Sequence, residues 1–193
     1  ISTKEVLMRY FVTSQFQLST NRDSPINSKW LHKFLSEKNQ QEIDQVWTMN
    51  ISKYYRTFVS QFAIWYRESY EFTNHEEAQL ILLQLGWLLS STNRYYRDQA
   101  TLAIVKILTY DSDLIIFFIK SFLNVNDLYV IERAMAAIYG ATITLTDNIK
   151  IKEVSKCVYD VFFDVDKVKP NVLARDYGRQ IINYSIYHDS LSQ

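Results

Sequence analysis

The chain has 193 residues, is 48% hydrophobic, and carries 21 Lys and Arg against 21 Asp and Glu, which describes a folded globular domain of zero formal charge. That balance argues against nucleic-acid binding, which draws on a surplus of Lys and Arg along one face. The lone Cys157 excludes an internal disulfide and a Cys-based zinc site, and the most apolar run, residues 114–119, is far too short to span a bilayer.

No signal peptide opens the chain, and the expected setting is a reducing, cytoplasmic one. The first residue is Ile1 rather than Met, which reads as a piece excised from a longer protein. Three Gly and two Pro are too few for a sandwich or an α/β fold, whose turns consume both. The expectation is all-α. Gly86, Gly140 and Gly178 each fall inside a predicted helix. A helical glycine costs about 1 kcal/mol relative to Ala, so close approach of a neighbouring backbone is expected at these points.

In chain order, Val6, Leu7, Tyr10 and Phe11 have helical spacing, although Val12-Thr13 and Phe16 leave a strand open. Residues 21–25 form a turn, and Ser24-Pro25 or Asn27 starts a helix carrying Trp30, Leu31, Phe34 and Leu35. After a polar break at 37–41, Ile43, Val46 and Trp47 make a short helical stripe. Ser52 is placed as the cap of a helix bearing Tyr55, Phe58, Val59, Phe62, Trp65 and Tyr66. Thr73 to Glu76 has capping-box spacing and starts a helix with Ala78, Ile81, Leu82, Leu85, Leu88 and Leu89 on one side. A short connector then returns the chain antiparallel into a helix presenting Tyr96, Ala100, Ala103, Ile104, Ile107 and Leu108. Residues 111–113 cap helix 113–123, which is apolar nearly all round and so is expected to be buried between neighbours. Helices over 128–145, 150–164 and 171–187 complete the chain.

Three helix starts share one pattern. Asn93, Asp127 and Asn171 are each followed five residues later by an acid (Asp98, Glu132, Asp176) and seven later by a small residue (Ala100, Ala134, Gly178). The starts lie 34 and 44 residues apart, spacings that bracket those of helical-pair repeats. This predicts hairpins over 74–109, 112–145 and 150–187, stacked as a short, irregular HEAT-like α-solenoid spanning 73–193. Residues 1–72 show no such repeat and are expected to form an N-terminal helical cap.

No residue group announces catalysis. A phosphate-binding loop needs several glycines before a Lys-Ser/Thr, and none exists. His32, His75 and His188 are isolated, and His75-Glu76-Glu77 lacks the second His of a zinc peptidase; its carboxylates suit a helix N-terminus. Asp160, Asp164 and Asp166 lack the Gly and terminal Glu of a calcium loop and read as a solvated helix end. Cys157 falls on the stripe of Val154, Val158 and Val161 as a core thiol. No cofactor or metal is expected.

Arg94, Arg97-Asp98, Arg133 and Arg175-Asp176 admit two readings. Adjacent helical residues point about 100° apart, so the Asp serves its own helix start. The Arg is then placed to reach a carboxylate or carbonyl on the preceding hairpin, as one rung of a polar ladder that fixes register. The other reading is a row of Arg groups that binds an anionic partner. Tyr95-Tyr96 cannot both face one core, so at least one of them is exposed. The exposed Tyr and Trp suit either a protein interface or packing between hairpins.

Residues 39–48, Phe62 to Tyr66 and above all Leu88-Leu-Ser-Ser-Thr-Asn-Arg-Tyr-Tyr-Arg-Asp-Gln-Ala100 resemble a segment of bacterial STAND-type NTPases of antiviral defence, the AVAST, NACHT-related group; Pro170 to Tyr177 looks similar to a later part of it. The likeness covers most of residues 30–185. It implies the helical array that follows the ATPase module, contacts phage proteins and relays their presence to an effector. It carries over no catalytic residue, because this chain has no Walker motif. The expected function is therefore a non-catalytic scaffold or sensor that binds a protein, such as a phage protein, or couples modules of a parent chain. The alternatives are a free-standing HEAT-like adaptor and, least favoured by charge, a helical-repeat nucleic-acid binder.

Overall fold

A computed structural model describes residues 2–53, 59–68, 74–166 and 169–191. Among them every regular element is helical and there is no strand. The chain divides into two compact units, residues 1–103 and 104–193. The boundary read from the sequence, 72/73, lies inside the first unit.

The first unit holds α1 (Thr3–Leu18), α2 (Ser28–Ser36), α3 (Gln40–Ile43), α4 (Met49–Lys53), α5 (Ser60–Glu68), α6 (His75–Leu88) and the opening of α7 (Arg94–Tyr110). A π-helical turn, Asp44–Thr48, joins α3 to α4. The ambiguous first segment is a helix, opened by a capping box between Ser2 and Glu5. Asn27 caps α2 by accepting from the Lys29 and Trp30 amides. Ser52 is not a cap. It sits inside α4 and its hydroxyl donates to the Thr48 carbonyl one turn back, the other habit of a helical serine. Tyr55, Phe58 and Thr73 lie outside the described residues, and α6 is capped by Asn74, which accepts from the Glu77 amide.

The element buried on every side is α6, not α8 (Asp113–Phe122). From Leu80 to Ser91 each residue is buried, Gln84 and Gly86 included. By contrast α8 buries Leu114, Ile115, Phe118, Ile119 and Phe122 but leaves Asp113 and Lys120 in solvent. Leu80, Ile81, Leu82 and Leu85 are fully covered, a gain of about 1.5–3 kcal/mol each before ordering costs. The carbonyls at the end of α6 need partners that the helix does not supply. Trp87 O receives two: Trp47 Nε1–H at 2.9 Å and Ser90 Oγ–H at 2.9 Å. Trp87 in turn donates from Nε1 to His32 Nδ1 at 3.1 Å. Phe16 stacks on Trp47 with ring centroids 5.9 Å apart. A chain of bonds thus ties α2, the π turn and α6 together inside the apolar interior.

The second unit holds α7 from Ile104 onward, α8, α9 (Leu128–Thr142), α10 (Asn148–Val158) and α11 (Val172–Leu191). A second π-helical turn, Tyr159–Phe163, prolongs α10. The last helical residue of α9 is Thr142, three short of the predicted end. Helix α8 packs on α9 and α10, and α11 packs on α9 and α10. Residue numbers give the directions. Between parallel neighbours, the difference between paired residues is constant; between antiparallel neighbours, one number rises as the other falls. Asp113 meets Lys150 and Lys120 lies beside Cys157, both 37 apart, so α8 and α10 run parallel. Val105 touches Gly140 and Thr109 lies against Thr144, both 35 apart, so α7 and α9 run parallel. Asn171 meets Leu128 and Gly178 approaches Met135, both 43 apart, so α9 and α11 run parallel. Lys152 pairs with Asp189 while Phe163 abuts Gly178, so α10 and α11 are antiparallel.

Gly140 and Gly178 meet side chains rather than the backbone expected from sequence. A Cβ on Gly140 would stand 3.3 Å from Val105 Cγ2, and one on Gly178 only 2.8 Å from Phe163 Cε2. The Phe163 ring is held edge-to-face on Phe162, with centroids 5.1 Å apart.

Gly178→Ala is expected to destabilise the protein by about 1 kcal/mol, overriding a helix-propensity gain of similar size. In a Phe163→Ala background the same change should stabilise by up to about 1 kcal/mol. Urea midpoints of the four proteins check this, and equal effects in both backgrounds would dismiss the contact.

Burial lowers the pKa of His32 to about 4, against 6.5 in an unfolded chain. The unfolded state therefore binds the extra proton first as pH falls. His32 contributes its full stability above pH 6.5 and loses it toward pH 4, by up to about 3 kcal/mol. Urea titrations across that window should show the slope, and His32→Gln should flatten it.

Candidate functional site

The recurring helix starts are real caps. Asn93 Oδ1 accepts from the Tyr95 amide, Asp127 Oδ1 from those of Tyr129 and Val130, and Asn171 Oδ1 from that of Ala174. Each satisfies amides that the helix leaves unpaired.

The residues around these caps divide into exposed and enclosed groups. Arg94 is 87% exposed and pairs with Asp98 one turn on, Nε to Oδ2 3.4 Å. Tyr95 is 55% exposed, and half-buried Tyr96 meets its ring edge-to-face at 5.3 Å. Arg97 donates from Nη1 to the Ser91 carbonyl at 2.8 Å, a contact with the connector leading into its own helix. Arg133 is half-buried on α9. Arg175 is half-buried on α11, its Nε closed off from solvent and without a hydrogen-bond partner among the described residues, and Asp176 is exposed.

Polar contacts join the helices and connectors of the second unit through Asn171, Lys169, Tyr184 and Lys150. Asn171 Nδ2 donates to Glu132 Oε2 at 2.9 Å and to Leu128 O at 3.3 Å. Lys169 Nζ donates to Val125 O at 2.7 Å. Tyr184 Oη–H reaches the Ile143 and Leu145 carbonyls at the end of α9. Lys150 bridges Asp113 on α8 and Glu153 on its own helix, and the bond to Asp113 is the main reason its ammonium pKa is raised. In the sequence Asn171 reads as a cap and Glu132 as the acid five residues after another. Their separation of 39, within the repeat spacing, was the available signal.

Burial pushes the Cys157 thiol up, away from the reactive thiolate. Burial, followed by the charge of Glu77, raises the Tyr66 phenol to about 12, so it stays neutral. The histidines are dispersed: His32 accepts from Trp87, His75 opens α6, and His188 lies on Tyr184. Asp160, Asp164 and Asp166 are all exposed. Among the described residues no three His, Cys, Asp or Glu side chains gather as metal ligands, and no helix is long and apolar enough to cross a membrane.

The aromatic residues divide between the interior and the surface. Trp47 and Trp87 are fully buried, whereas Trp65 is 62% exposed. Around the start of α11, Leu128, Tyr129, Val172 and Leu173 are all exposed beside the Asn171–Leu128 contact. Comparison of the chain with protein-family models, with curated proteins and with solved structures finds no match.

Asn171→Ala should cost about 1 kcal/mol through the lost cap and about 1 kcal/mol more through the lost bond to Glu132. Asn171→Asp keeps the capping oxygen but turns a carboxylate toward Glu132. It is expected to be no more stable than the Ala variant at pH 7, and wild-type stability in thermal melts would show that the cross-helix bond contributes nothing. The half-buried Cys157 should also be alkylated more slowly at pH 8 in native than in denatured protein, as mass spectrometry can follow.

Proposed function

We propose that this chain is a HEAT-like α-solenoid segment that acts by protein–protein recognition or by coupling neighbouring modules, with no chemistry of its own. The observation that carries the reading is the constant residue difference between alternate helices in the second unit, 35 for α7 and α9 and 37 for α8 and α10. In an up-and-down four-helix bundle each helix packs on its neighbours in sequence, all antiparallel. Here alternate helices pack side by side and parallel, the relation between equivalent helices of successive hairpins. Similar differences recur in the first unit: Trp47 and Trp87, and Ser52 and Thr92, are each 40 apart. The same relation therefore reaches back into residues 1–72.

Such a stack presents rows of exposed side chains from successive helices. Exposed Tyr95 in the first unit, and Tyr129 and Tyr187 in the second, are aromatic, polar-tipped side chains of the kind that suits a protein contact. The zero net charge weighs against nucleic acid as the partner. The resemblance to the helical array of antiviral STAND NTPases supplies the setting, in which the partner is a phage protein or another module of the parent chain.

Photo-crosslinking amino acids placed singly at Tyr95 and Tyr129 of the natural gene product test this. The expected result is a discrete protein adduct, either within the same polypeptide or with a phage protein in infected cells. A host-protein adduct in uninfected cells, from a gene encoding only these residues, would favour the free-standing adaptor. Adducts confined to nucleic acid, or ATP hydrolysis by the purified chain, would overturn the reading.

A further inference from the structure

We draw no further inference here: the strongest candidate, the apolar groove beside α5 lined by Phe16, Phe62, Ile64, Trp65 and Tyr66, carries nothing because nothing in the structure shows what covers it.

Discussion

How closely α9 allows its neighbours to approach governs the second unit. Its buried positions include Ala134, Ala137 and Ala141, and Gly140 receives the Val105 side chain of α7. On the other side α11 answers with Ala174 and Gly178, both buried. Helix axes settle at a distance fixed by the side chains at the contact. Gly140 makes room for the Val105 side chain, and Gly178 for those of Phe163 and Met135. At the start of α11, Asn171 reaches the Leu128 carbonyl and Glu132 together. Shape and hydrogen bonds hold the register jointly.

The caps could be read from sequence because their physics is local. An Asn or Asp followed by a helical stripe offers an acceptor to amides two or three residues ahead, and Asn93, Asp127 and Asn171 all do so. Ser52 misled because a serine hydroxyl has two helical uses, and the letter does not say which applies. The apolar stripe of α6 does not by itself tell that Gln84 is buried too. In the fold Gln84 Oε1 lies 3.3 Å from the Ser28 hydroxyl, while its Nε2 is buried without a hydrogen-bond partner among the described residues. The evenly apolar look of residues 113–123 had the opposite effect, drawing attention away from Asp113 and Lys120 at its two ends.

The candidate site was legible in membership but not in wiring. The sequence reading placed polar groups at each helix start and left open whether they serve register or a partner. Which residue crosses to which helix depends on the offset between parallel neighbours. That offset differs between α7–α9 and α9–α11 and is set by packing rather than by local propensity. The Trp47–Trp87–His32 chain was invisible for the same reason: its members lie 40 and 55 residues apart, and nothing near any of them signals the bond.

The two π-helical turns have a further consequence for how the protein tolerates changes in length. Each holds a wider coil than the helix around it, at the point where Trp47 or Phe163 must be aimed at a distant partner. Excising one residue from either turn would let the coil close to ordinary α geometry, which keeps the helix beyond it nearly in phase but re-aims the side chains of the turn itself. The indole would swing off the Trp87 carbonyl, or the Phe163 ring off Gly178. Surface connectors usually absorb insertions and deletions with little harm. Here the sensitive places are two stretches of helix that look, letter by letter, as ordinary as their surroundings.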